Sequence, residues 1–316
     1  MGVPACGSGL LLGAALDALV ADPRAGHPVA AFGSAAARAE RRLWAATRTR
    51  GALFTAACVV PAAAGGYTLQ RLSRRGPLRD ICITAAATWT VLGGTSLARQ
   101  ATKIAAALNA GDLPAAREQL PVLCGRDPSQ LDAPGVSRAT VESVAENTGD
   151  AVVAPLFWGA VAGVPGLLAY RAINTLDAMV GHRNSRYERF GWAAARLDDA
   201  ANWVPARLTA ALTVALAPAI NGSPRRALAT WRRDGAAHPS PNAGRCEAAF
   251  AGALGVQLGG TNVYHGRAEQ RGLLGDGQPP TVTDIGRAVR LSRLVTVVAA
   301  LSGAAVAGLP TSRRRL

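Results

Sequence analysis

The chain has 316 residues, of which 49% are apolar, 17% charged and 5% aromatic, with a mean hydropathy of +0.16. An average soluble domain carries about 25% charged residues, so this composition excludes a disordered chain and points to unusual placement of its apolar residues. The formal net charge is +14, and Lys103 is the only lysine among 34 basic residues; the arginines lie between and beside apolar blocks, a placement that suits membrane orientation and argues against nucleic acid as a partner.

The first apolar block, residues 3–20, has no basic residue ahead of it and carries Asp17, so it fits a cleaved signal poorly and is expected to be retained. Blocks 51–69 and 81–98 are uncharged and joined by a short basic segment, and each is long enough to cross the hydrocarbon as a helix. Further blocks run over 151–170, 204–220 and 294–309, the first two interrupted by Pro155, Pro165, Pro205 and Pro218. The fold class expected is all-α: a polytopic helical membrane protein, one integral membrane domain over 1–316, with about four or five true spans. Segments 21–50, 99–150, 171–203 and 221–293 are too long to be turns and are expected to be functional loops containing their own helices. The five cysteines are far apart and form no C-x-x-C pair, so they read as small buried hydrophobes.

A P-loop is excluded, because Ile104 follows the sole lysine. No two histidines have metal-ligand spacing, which leaves magnesium held by carboxylates and phosphate. Asp22-Pro23 and His27-Pro28 follow the first apolar block, and each proline holds the preceding residue extended. Glu142 and Glu146 share one helical face, either solvated or awaiting a cation, where a metal or an arginine would be welcome, and Asp150 follows at the edge of an apolar block.

The densest polar stretch is 171–207. Arg171, Asn174 and Asp177 fall on one side of a helix that Gly181 ends, leaving His182, Arg183, Asn184 and Arg186 in a loop suited to anions. Arg196, Asp198 and Asp199 follow on a second helix, with Asn202 one turn after Asp198. Glu40 and Glu188 read as peripheral. In HPSPNAG at 238–244 the two prolines enforce a rigid loop, in which Asn242 either caps the next helix or contacts a ligand. The glycines of 258–262 would let backbone approach a phosphate.

DPRAGHPV at 22–29, ATVESVAENTGD at 139–150, the stretch NTLDAMVGHRNSRYERFGWAAARLDDAANWVPARL at 174–208, and HPSPNAG followed by EAAFAGALGVQLGG up to 260 closely resemble the adenosylcobinamide-phosphate synthase family of cobalamin biosynthesis. The resemblance runs in order from Leu10 to about Leu274. This sequence departs from the family pattern at Gly149, Ala151, His182 and Arg245-Cys246. The resemblance implies a multi-pass cell-membrane ligase that joins adenosylcobyric acid to (R)-1-amino-2-propanol or its O-phosphate; the basic residues of the loops and the need for cellular ATP are expected to put those loops in the cytoplasm. It implies ATP and Mg2+, a corrinoid substrate, the lipid bilayer, and other late cobalamin-pathway enzymes as partners. A carboxylate is a poor electrophile and an ammonium no nucleophile, so an activated acyl group, suggested to be an acyl phosphate, and a base are required.

On that reading Arg171, Arg183, Arg186 and Arg196 are expected at phosphate and developing negative charge, with Arg196 counted as catalytic. Asp198 and Asp199, or Glu142 and Glu146, are expected at magnesium. His27 or His238 is expected as the base, in preference to His182, while Asn174, Asn184 and Asn242 would meet the corrinoid amides, and Asp177 would join the same binding surface. The alternatives are a corrinoid transporter or a membrane scaffold for the pathway. A transporter would carry its charges within the apolar blocks, whereas here they lie mostly outside.

Overall fold

The computed structural model describes residues 3–21, 26–182, 184–264 and 267–309. In chain order the elements are α1 (Val3–Val20), α2 (Pro28–Leu43), α3 (Arg48–Ser73), α4 (Pro77–Val91), α5 (Gly94–Asn109), α6 (Leu113–Gln119), α7 (Ala133–Thr148) and α8 (Ala154–Val180). They continue with α9 (Trp192–Ala201), α10 (Trp203–Leu216), α11 (Pro224–Asp234), α12 (Ala243–Leu254), β1 (Leu258–Tyr264), β2 (Arg267–Leu274) and α13 (Val282–Gly308). The class is all-α and polytopic, and among the described residues five helical stretches are long and apolar enough to cross a membrane: Arg48–Ser73, Pro77–Asn109, Ala133–Val180, Trp203–Ile220 and Val282–Gly308. Val60, Leu53, Val297, Leu301 and Val306 are all exposed on these helices, an apolar surface that lipid satisfies and water does not.

The expected polar loops do contain helices. They also contain the one feature that helical patterning misses, the antiparallel hairpin of β1 and β2 at 258–274.

The chain divides into two compact units. One takes the chain up to Gly93, Ala154–Asn202 and the chain from Ala299 onward. There Gly9 and Gly13, four residues apart on α1, lie directly against Thr84 and Thr88, also four apart, on α4. Small residues at this spacing let two helix backbones approach closely. A second contact joins Phe54 of α3 to Phe190, with ring centroids 5.1 Å apart, beside Leu176 and Val180 of α8.

Within α8 the chain doubles back. Gly163 has φ 68° and ψ −149°, outside helical space. A Cβ at Gly166 would lie 2.3 Å from the Trp158 carbonyl oxygen, and one at Gly159 would lie 2.9 Å from the Leu167 side chain. Residues eight apart in a straight helix are about 12 Å apart along the axis, so the arms either side of Gly163 are folded against each other.

The other unit comprises Gly94–Val153 and Trp203–Val298. Its α5, α6 and α7 share a core of Ile104, Ala116, Leu120, Val136 and Ala139. Helix α7 ends in a π-turn at Gly149–Val153. Pro205 stands in the first turn of α10 and Pro218 in the 3-10 turn after its end, so these prolines bound the helix and do not break it. Most of α12 is buried, and its Gly252 meets the α11 backbone at Ala227.

Candidate functional site

The sequence-derived residues fall into two groups, one in each unit. In the first unit α9 lies beside the C-terminal arm of α8, and their polar side chains form a chain of hydrogen bonds. Tyr170 Oη donates to Asn202 Oδ1 at 2.8 Å, Asn202 Nδ2 donates to Asp198 Oδ2 at 3.0 Å, and Asn174 Nδ2 donates to Asp198 Oδ1 at 3.4 Å. Asp198 is buried, with each carboxylate oxygen facing an amide donor. Asp199, one residue on, turns toward solvent, 3.8 Å from the exposed Arg196 guanidinium. The helix therefore splits the aspartate pair into an inward network member and an outward, accessible carboxylate.

The other residues of this unit are more dispersed. Arg171 lines a small cavity with Pro28, Val29, Phe32 and Leu168, so its charged head stands against an apolar wall. His27 is the N-cap of α2, its Nδ1 accepting the Val29 N–H at 3.2 Å. Asp177 sits one turn before Gly181, where a Cβ would meet its carboxylate. Asn184 Oδ1 accepts the N–H groups of Arg186 and Tyr187, which closes the turn after α8. His182 is exposed, and Arg183 lies outside the described residues.

Arg186 is tied into a cluster that sequence reasoning missed. Its Nη2 is 2.8 Å from Glu40 Oε1, Tyr187 Oη donates to the same oxygen at 3.0 Å, and its guanidinium lies 4.8 Å from the centre of the Trp44 ring. Those hydrogen bonds hold the Arg186 guanidinium above its ordinary pKa. Glu40 is 8% exposed, and an arginine and a tyrosine from 146 and 147 residues away converge on it.

The second unit holds a buried polar cluster. Glu142 on α7 pairs with Arg126, lies 3.7 Å from Arg138 Nη1, and accepts the Gly259 N–H at 2.7 Å. The positive group at Glu142 is thus an arginine of the chain itself. Gly259, at φ 83°, lets its amide reach that carboxylate; the glycines of 258–262, expected at a phosphate, shape the irregular start of β1. Glu146 lies one turn further along α7, partly buried.

From α12, Glu247 enters the same region, 1% exposed, with neither carboxylate oxygen hydrogen-bonded among the described residues. Burial pushes this carboxyl well above the usual range, and the nearby Glu142 and Glu146 push it further, against the pull of Arg271 and Arg126. His238 Nε2 lies 3.7 Å from Glu247 Oε1. Burial, with Arg271 nearby, lowers His238 to about 4, so the ring is neutral. His238 Nδ1 accepts the Ser240 N–H at 3.0 Å, which puts the ring proton on Nε2, facing Glu247. Asn242 is buried, but its side chain does not cap α12; Ser240 Oγ does so, accepting the N–H groups of Asn242 and Ala243.

Sequence reasoning missed Arg126 and Glu247 as site residues. The available signal for Glu247 was a lone acid in a helix whose other residues, Arg245 apart, are small or apolar. Among the described residues no three His, Cys, Asp or Glu side chains converge as a metal cage.

Residues 10–292 match the family model described as CobD/Cbib protein. The chain is 55% identical over 293 residues to the "Cobalamin biosynthesis protein CobD" of Mycobacterium tuberculosis (strain ATCC 25618 / H37Rv), covering 93% of each chain. It is 46% identical over 280 residues to the protein of the same name in Stutzerimonas stutzeri (strain A1501), covering 87% of this chain and 89% of the other. The Chromobacterium violaceum protein of that name is 45% identical over 300 residues, covering 92% of this chain and 93% of the other. No solved structure matches the chain.

Proposed function

The chain belongs to the CobD/Cbib family, and from that premise we propose that it acts in cobalamin biosynthesis by joining (R)-1-amino-2-propanol, or its O-phosphate, to the f-propionate carboxylate of adenosylcobyric acid. The product is adenosylcobinamide or its phosphate, and the bond made is an amide. The observation that carries this reading is the buried carboxyl of Glu247, which lacks a hydrogen-bond partner and faces the neutral His238. A buried polar group without a partner is costly, and a ligand group that completes it repays that cost. An amine substrate arrives as an ammonium and must lose a proton before it attacks. In its ionised form Glu247 takes that proton onto a carboxylate oxygen and becomes the neutral acid, the form that burial favours. His238, holding its proton on Nε2 and 3.7 Å from Glu247 Oε1, is a positioning residue in this scheme: it turns an N–H toward the carboxyl without hydrogen-bonding to it.

ATP with magnesium would supply the phosphoryl group that makes the propionate an electrophile. Asp199, accessible and adjacent to Asp198, fits an ion completed by phosphate oxygens and water. Glu142 does not fit one as well, since Arg126 and the Gly259 N–H already occupy its oxygens. Arg196, exposed beside Asp199 in the first unit, is suited to grip a phosphate.

The test is product formation. Detergent-solubilised protein given adenosylcobyric acid, aminopropanol phosphate, ATP and magnesium forms the amide. Glu247→Gln lowers turnover by at least about 100-fold, the low end for loss of a general base. A folded protein that binds corrinoid tightly and makes no product would replace this reading with a transporter or scaffold.

A further inference from the structure

A cavity of about 430 Å³ in the second unit is lined by Arg207, Leu228, Trp231, Arg232 and Arg245. These residues come from three helices: Arg207 from the first turns of α10, Leu228, Trp231 and Arg232 from α11, and Arg245 from the start of α12. Three guanidinium groups around one space repel one another unless something negative joins them. None of the three forms an ion pair among the described residues, and Arg245 Nε is buried without a hydrogen bond. Arg233, the next residue after Arg232, takes both Asp234 at 2.7 Å and Asp276 at 3.4 Å.

Arg207 is braced for such a role. Its Nη1 donates to the Trp203 carbonyl at 2.7 Å and its guanidinium lies 4.0 Å from the centre of the Trp203 ring. The remaining wall, Leu228 and Trp231, is apolar. The cavity is separate from the buried cluster of Glu247, because Arg245 and Glu247 are two residues apart on α12 and so project about 200° apart.

We propose that this cavity binds a phosphate ester. Guanidinium groups grip phosphate oxygens in pairs, three of them match more than one negative charge, and the Leu228 and Trp231 wall receives the carbon side of the ester. Two sources carry that chemistry. One is a soluble phosphate. The other is the headgroup of an anionic lipid, favoured by the apolar α10 and by Trp203, 54% exposed at its start, where aromatic residues mark a membrane interface.

The experiment is thermal unfolding of the purified full-length protein in neutral detergent at constant ionic strength. Inorganic phosphate and short-chain phosphatidylglycerol are titrated separately, with phosphatidylcholine as the zwitterionic comparison. The expected result is a saturable rise in Tm with an anionic probe, its midpoint shifted at least about 10-fold in Arg232→Gln/Arg245→Gln, as loss of charge-assisted hydrogen bonds requires. A rise with inorganic phosphate identifies a soluble ligand, and one confined to phosphatidylglycerol identifies a lipid headgroup. Arg232 is exposed, so Arg232→Gln alone provides the comparison should the double variant fail to fold. No saturable rise with either probe, or an unshifted midpoint in the variants, overturns the proposal.

Discussion

At the scale of single residues, burial decides which charged groups are available for chemistry. His238 illustrates the consequence for pH. Its pKa falls from 6.5 to about 4 in the folded protein, so between those values the unfolded chain binds the extra proton. Stability then rises with pH across that window, and acidification from pH 6.5 to 4 costs up to ~3 kcal/mol. Glu247 has the opposite sign: its raised pKa means the folded state holds a proton longer, and its contribution weakens as pH rises. Denaturant unfolding of wild type and His238→Gln should therefore converge as pH falls from 6.5 to 4, and a constant difference would contradict the assignment. Asp198 and Asp199 are separated by the same logic. Asp199→Ala and Arg196→Ala should reduce turnover by at least about 100-fold without lowering Tm, whereas Asp198→Ala should lower both, because it leaves the Asn174 and Asn202 amides without their acceptor. An Asp199→Ala enzyme with normal turnover would remove that residue from the site. Glu142 and Asp198 were legible in the sequence as acids in dense polar stretches. Arg126 and Glu40 were not, because their partners are brought to them only by tertiary packing.

At the scale of elements, apolar length and proline position give the helices, and backbone conformation gives the reversal. The sequence shows block 151–170 to be interrupted, but Pro165 alone does not turn a helix back on itself; Gly163 does, at a φ that L side chains rarely adopt. Gly163→Ala would also bring a Cβ to 2.5 Å from Gln70 Oε1. It should destabilise the detergent-solubilised protein by about 1–3 kcal/mol, the scale of a forced backbone conformation, and an unchanged Tm would contradict the folded-back arrangement. The hairpin at 258–274 was missed for a related reason. Its strands are rich in glycine and polar residues, so no alternation marks them; what holds them is cross-strand pairing and the Glu142 contact to Gly259.

For the whole molecule, contacts inside the first unit tie two connections to the same end of its helices. Trp44 Nε1 donates to the Arg186 carbonyl, and Glu40 binds Arg186, so the α2–α3 connection and the turn after α8 lie together on one side of the bilayer. We propose that this side is the cytoplasm, where ATP is available. Single cysteines at Ala46 and Ser185 in a cysteine-free background should both be shielded from an impermeant thiol reagent outside intact cells, and labelling of either would contradict that orientation. Amide formation on an activated propionate can be followed with adenosylcobyric acid labelled with 18O in both oxygens of the f-carboxylate, during turnover with ATP and aminopropanol phosphate. One 18O should appear in inorganic phosphate for each amide formed; absence of the amide, or an amide formed with no label in phosphate, would rule out the proposed reaction.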